Sequence, residues 1–439
     1  LTVDAASATD QTIDAFATYV YRVRALAAGD VVSAPSNEIT VGPPPVGFSQ
    51  VQTAPKAMQD RDPNQYAHTI RLAFDANGDP ALAYVTGDLN LDGDPKDSEI
   101  GFISWNRARY RWNAAVRIDG VADVVRSGSR PPLSLARDTS TNRWVLVYMG
   151  DDGHLLNLAT SDDNGTSWKL APIERAGPED GTMSTPSVVA ASGQIYLAYF
   201  AGGNRVRYRN GLLADPPNKW TSAEVPLLPN TDNSRQECIN VALDAAGKPL
   251  VFSCLNPSEG YTINVSMWRP GERSAVKVLD TDGHQTDDPA LAVTIAGNTI
   301  AAVMYANRDQ LFFENHQIWF ARSTDGGATW PKPIVIENDG GHGMGSPLSI
   351  AIDRAGHFAG GAEHTGGNSD GTKCGDPKLF RSSDGVRWTV CAPNTRGVTA
   401  NDVTYPVVAF AGNDKIYEVF KTRQPSGNLV PGLALWREP

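Results

Sequence analysis

The 439-residue sequence predicts an all-β fold, a β-propeller of seven four-stranded blades, with six blades as the alternative. One observation behind this is a strand, turn, strand unit that recurs seven times, beginning at residues 70, 132, 186, 239, 289, 347 and 406. Each copy pairs two runs of small and apolar residues across a Gly or Asn turn, as in "IRLAFDANGDPALAYV" and "INVALDAAGKPLVFSC". A second is the spacing. Copies start roughly 50 to 60 residues apart, which leaves room for two more strands and matches one blade. A third is a turn signature at equivalent places: "SDDNGTSW" at 161–168, "STDGGATW" at 323–330 and the shorter "SSDGVRW" at 382–388.

In chain order, residues 1–41 read differently from the rest. "YVYRVRALAAGDVVSAPSNEITV" (19–41) alternates Tyr and Val with Arg, turns and alternates again, as an antiparallel β pair does. It resembles the last two strands of a fibronectin type III domain. The segment is too short for that whole module, so the chain is expected to begin inside it and the natural polypeptide to carry further domains upstream. "GPPPVG" (42–47) is a stiff linker, and 48–439 is the propeller. The seventh copy ends with a third strand, "GLALWRE", and the strand at 48–58 is placed to supply its missing outer neighbour and close the ring.

The first copy carries a long acidic connection, "GDLNLDGDPKDSEIG" (87–101). Asp88, Asn90 and Asp92 fall at the first, third and fifth positions of a twelve-residue calcium loop, Asp94 offers a carbonyl at the seventh, Glu99 stands twelfth and Gly93 makes the sharp turn. Such loops usually join helices. Between two strands, this one reads as a site for a structural calcium ion that staples the loop, with no part in catalysis.

The formal net charge of −11, with acidic and basic residues spread along the chain, gives no basic stripe for nucleic acid or an anionic membrane. No apolar run is long enough to insert in a bilayer. Four cysteines flank two strand, turn, strand units: Cys238 with Cys254, and Cys374 with Cys391. Two local disulfides, and with them a secreted or cell-surface setting, are the expectation; four buried thiols are the alternative.

The turn signature fits Ser/Thr-x-Asp-x-Gly-x-x-Trp and resembles the Asp-box of the sialidase-like, or BNR-repeat, propellers. Its Asp163, Asp325 and Asp384 are expected to hold turns, not to catalyse. Propeller geometry then gathers the starts of first strands and the ends of second strands at one face, where a site would lie.

The resemblance implies a set of residues there. That family holds a carboxylate with three arginines and uses an Asp acid/base and a Tyr nucleophile paired with a carboxylate. "SRPPLSLARD" matches at Arg130, the following loop offers Asp151 or Asp152, and "TYPVVAFAGNDKIYE" matches with Tyr405 as nucleophile and Glu418 in its Tyr-Glu pair. The family's further carboxylate falls on Glu237, with Arg235 beside it, or on Asp288, with Arg308 at the second arginine position. Asn315, His316 or Lys373 stand where a third arginine is expected. The sialidases have six blades where this chain has seven repeats.

Three readings follow. The first is a glycan-degrading, sialidase-like hydrolase acting on a polysaccharide or glycoconjugate. The second is a polysaccharide lyase, with His68 facing Tyr84 across the first hairpin as the proton-abstracting group. The third is a non-catalytic glycan- or protein-binding platform using Trp and Tyr for stacking.

Overall fold

The computed structural model describes residues 19–22, 24–27, 31–41, 52–53, 70–86, 99–106, 111–119, 132–177, 183–202, 205–228, 234–257, 264–281, 285–307, 316–339, 344–364, 378–391, 403–410, 416–423 and 429–435. Among the described residues the regular elements are strands and short 3-10 helices. At the N-terminal end, Tyr19–Tyr21 pairs antiparallel with Ile39–Val41, and Leu26–Ala27 pairs with Val31–Val32.

The repeats form antiparallel sheets that resemble propeller blades. The first contains Ile70–Phe74, Pro80–Thr86, Glu99–Asn106 and Val116–Asp119, with Arg111–Trp112 as an extra short strand on the third. The second runs Leu133–Asp138, Arg143–Gly150, Leu155–Ser161, Lys169–Arg175; the third Ser184–Ala191, Gln194–Phe200, Val206–Leu212, Thr221–Glu224. The fourth runs Ser234–Leu243, Pro249–Pro257, Asn264–Trp268, Val276–Asp280; the fifth Gln285–Ala296, Thr299–Asn307, His316–Ser323, Ile334–Asp339. The sixth is Met344–Ile352, Phe358–His364, Lys378–Ser382, Thr389–Cys391. In the seventh, Val403–Phe410, Ile416–Arg423 and Leu429–Leu435 are joined by Gln52–Thr53 from the other end of the chain.

First strands of consecutive sheets lie against one another, from the first sheet through to the seventh, and the seventh lies against the first. The core sits between faces. Ala83, Phe102, Leu135 and Trp144 pack between the first and second sheets, and Val147, Leu158, Val188 and Leu197 between the second and third. Val241, Val251 and Trp268 join the third and fourth, Phe252, Met267 and Met304 the fourth and fifth, and Val303, Phe320, Ile350 and Phe380 the fifth and sixth. Each buried Leu, Phe or Met contributes about 1.5–3 kcal/mol, and neighbouring sheets share that burial.

The Asp-box turns join consecutive sheets. In the second sheet, Asp163 accepts hydrogen bonds from Ser161 Oγ (2.8 Å), Ser167 N (2.8 Å) and Ser167 Oγ (2.6 Å), while Gly165 N donates to Ser161 Oγ at 2.8 Å. Gly165 has φ +87° and rests on Phe102 of the first sheet: a Cβ there would stand 2.1 Å from the ring. Trp168 of the same turn meets Phe102 edge to face at 5.1 Å. The fifth sheet repeats this, with Asp325 held by Ser323 and Thr329 and Gly327 lying on Met267 of the fourth. In the sixth, Arg387 replaces the hydroxyl residue, so the amides of Val386 and Arg387 fill Asp384 Oδ1 at 2.8 Å each. Arg322 of the fifth sheet donates to the Asp384 carbonyl at 2.6 Å, and Arg269 of the fourth donates to the Gly326 carbonyl at 2.5 Å.

Candidate functional site at the starts of the first strands

Register within each sheet sets its two ends apart. At one end lie the first hairpin turns and the Asp-boxes, tied together by contacts such as Gly193 N to Asp138 Oδ2 at 2.6 Å and Arg143 to the Leu213 carbonyl at 3.2 Å. At the other end, the first strands begin and the second strands finish.

That second end is irregular in the same way in three of the sheets. In the third sheet, Ser184 pairs with Phe200 and Ser187 with Ala198, so Thr185 and Pro186 together oppose Tyr199. In the fourth, Gln236 pairs with Leu255 and Ile239 with Ser253, so Glu237 and Cys238 oppose Cys254. In the seventh, Thr404 pairs with Lys421 and Val407 with Val419, so Tyr405 and Pro406 oppose Phe420. The fifth and sixth sheets have register shifts at the matching place, before Ala290 and Leu348, around Pro289 and Pro347. Proline lacks the N–H that a regular ladder needs, so the strand bulges where proline stands.

Two residues singled out by sequence therefore hold one structural position, Glu237 before Cys238 and Tyr405 before Pro406, each the first of two residues opposing one. Asp288 precedes Pro289 within a wider shift in which residues 286–289 oppose Ala306. Arg235 lies one residue further out than Gln236 and pairs with Asn256. Of Arg235, Glu237, Asp288 and Tyr405 the backbone is described; their side chains lie outside the described part. His68, Arg130, Arg308, Asp88, Asn90, Asp92, Asp94 and Cys374 also lie outside the described residues.

Sequence reasoning passed over Thr185, the third-sheet counterpart of Glu237 and Tyr405. It has φ +52° and is 6% exposed, a costly conformation for a β-branched residue. Its signal in the sequence was the Pro186 that follows it. Close by, Asp151–Gly153 forms a single 3-10 turn after the second strand of the second sheet, and Asp151 also has positive φ, +51°. The Gly153 carbonyl accepts from Met183 N at 2.8 Å, fastening this turn to the strand that carries Thr185. The Asp151 carboxylate is engaged by Arg175. Asp152, its neighbour in the turn, is described by its backbone.

Opposite the third-sheet bulge, Tyr199 is fully buried and its hydroxyl donates to Glu174 Oε2 at 2.5 Å. Glu174 also binds Arg207 and, at 3.3 Å, Arg209. Burial first, and Glu174 second, push the Tyr199 phenol well above its ordinary range, so it stays protonated.

One expectation changes. Tyr84 pairs with Ile70, not with the position of His68, and its ring packs over Gly101 in the core. Ile70, two places along from His68, faces it because the hairpin register is set by the Asp75–Asp79 turn. Burial pushes its phenol up, with Glu99 adding to the shift, so Tyr84 is a core residue and not a base on the rim. Glu99 opens the third strand of the first sheet, and its carboxylate accepts from Arg117 at 3.0 Å.

Cys238 and Cys254 are disulfide-bonded with Cα atoms 5.2 Å apart, as the hairpin reading required. Cys391 lies in the last strand of the sixth sheet, opposite Leu379.

No protein-family model matches this sequence, and no curated protein does. Among solved structures, the chain is similar to the NanB sialidase of Streptococcus pneumoniae at 10% identity and a TM-score of 0.44, over 93% of this chain and 75% of that one. It is similar to the α-L-arabinofuranosidase Arb93A of Fusarium graminearum at 11% identity and a TM-score of 0.47, over 89% and 98%. A protein of unknown function from Dyadobacter fermentans matches at 12% identity and a TM-score of 0.43, over 72% and 97%.

The Asp-box carboxylates are engaged in their own turns. Asp163 is held down at about 2, chiefly by the Ser167 hydroxyl and amide, and Asp325 lies lower still through Thr329. They lie at the end opposite the bulges.

Proposed function

We propose that the chain is a secreted, seven-bladed, sialidase-like propeller that hydrolyses complex or acidic glycans at the bulged starts of its first strands. The ring of neighbouring first strands and the pairing of Gln52–Thr53 with the last sheet support closure at seven. The observation that carries the functional reading is the common register of Glu237 and Tyr405, with Asp288 in the wider register shift of the fifth sheet. Bulges re-aim single side chains out of a strand's alternation, and the residues at these bulges are of the types the resemblance requires.

In this reading Tyr405 is the nucleophile and Glu237 or Asp288 takes up its proton. A phenol suits attack beside an anionic sugar because it carries no charge to repel the substrate carboxylate. Asp152 protonates the leaving oxygen, its neighbour Asp151 being held by Arg175. Arg130, Arg235 and Arg308 bind the carboxylate. Calcium, held by Asp88, Asn90, Asp92, Asp94 and Glu99, staples the first-sheet loop. Residues 19–41 resemble the last two strands of a fibronectin type III module, and the disulfide suits an oxidising compartment.

Release of fluorophore from sialosides, together with reducing-end release from a panel of acidic and neutral polysaccharides, tests the proposal. Turnover lost in Tyr405→Phe supports it. Binding without turnover would favour the non-catalytic platform, a reading that gains weight from Asn315, His316 and Lys373 standing where a third arginine is expected. Appearance of unsaturated uronate would favour a lyase.

A further inference from the structure

The fourth sheet makes the same bulge as the third and seventh without proline. Thr185 and Pro186 oppose one residue, Tyr405 and Pro406 oppose one residue, and Glu237 and Cys238 oppose Cys254. A proline fixes such a bulge because it has no N–H with which to rejoin the ladder. Cys238 has that N–H. Nothing in its backbone chemistry prevents the strand from sliding by one residue into regular pairing, and such a slip turns every side chain upstream to the opposite face.

The disulfide joins the residues at this point. Cys238 is the bulged residue, Cys254 is the one it faces, and the bond's Cα separation is 5.2 Å. Cys254 is itself fully buried and paired with Val265 on the third strand, so it anchors the bond in the sheet core. The closed loop is local, with a sequence separation of 16. Its Pro249–Pro257 and Ser234–Leu243 strands are already joined by a ladder from Ile239–Ser253 to Leu243–Pro249, so global closure adds little to what pairing provides.

We infer that the Cys238–Cys254 disulfide is a register lock standing in for proline, and that it positions the strand segment bearing Arg235 and Glu237 in a redox-dependent way. A dithiol such as dithiothreitol breaks the S–S bond by supplying two electrons and two protons; two thiols form and the reductant closes to its cyclic disulfide. The reduced segment 234–238 is then free to change register, while the rest of the sheet stays folded.

Hydrogen exchange tests this without reference to any glycan activity. In the full chain, reduction by dithiothreitol should speed exchange in peptides covering 234–243 about tenfold or more, with peptides from Leu133–Asp138 and Arg143–Gly150 of the second sheet unchanged. The Cys238→Ala/Cys254→Ala variant should match the reduced protein. Cys238→Pro/Cys254→Ala should restore slow exchange and make it indifferent to reductant. Unchanged exchange on reduction would overturn the inference, as would loss of protection spreading equally to the second sheet, which would mark a global staple. Failure of the proline variant to slow exchange below that of the double alanine variant would also overturn it.

Discussion

Gly165 of the second sheet lies directly on the ring of Phe102 in the first, so close that a Cβ at Gly165 would stand 2.1 Å from the ring edge. The contact explains why the Asp-box demands glycine at that place. Two requirements coincide there, a positive φ of +87° and a neighbouring sheet with no space to yield.

Gly165→Ala should therefore destabilise the fold by about 2 kcal/mol or more, from backbone strain and overpacking together. Chemical denaturation measures it. Because the clash is with Phe102, the double variant Gly165→Ala/Phe102→Ala should lose less than the sum of the single losses, whereas strict additivity would show that the ring is not the obstacle.

The Asp-box also makes a prediction in pH. Asp163 has its carboxyl lowered from 3.8 to about 2 in the fold, so its contribution is present above the unfolded value and is lost as pH falls through about 2. Thermal scans between about pH 5 and pH 2 should show Asp163→Asn less stable than wild type at the upper end, with the gap narrowing as the pH drops. Glycan turnover, assigned to the other end of the sheets, should be unaffected by this variant.

Calcium removal should lower the melting temperature, with recovery on adding calcium but not magnesium. Glu99→Gln should abolish the difference. A melting temperature that ignores chelator would leave the acidic loop as a solvated connection and Glu99 as no more than the partner of Arg117.

Much of the architecture was legible because the repeat is written in small residues, turns and the Asp-box, all of which act locally. Ser161, Asp163, Gly165 and Trp168 could be assigned their turn without knowing what lies beyond it. Their contact with Phe102 could not, because nothing near Trp168 in the sequence points to a residue some sixty positions earlier. Register was the other gap. Alternation tells which residues share a face but fixes neither the length of a turn nor the place of a bulge, and the Asp75–Asp79 turn brings Ile70, not His68, opposite Tyr84. The same gap hid the equivalence of Thr185, Glu237 and Tyr405, although the prolines at 186 and 406 were its visible sign.

The most direct test of the central claim is kcat/KM on the best glycan substrate for wild type, Tyr405→Phe and Glu237→Gln, each checked for an unchanged melting temperature. The proposed site predicts that Tyr405→Phe loses at least about a hundredfold and that Glu237→Gln, if it is the partner carboxylate, falls with it. Full activity in a folded Tyr405→Phe protein would contradict a catalytic site at the bulged starts of the first strands.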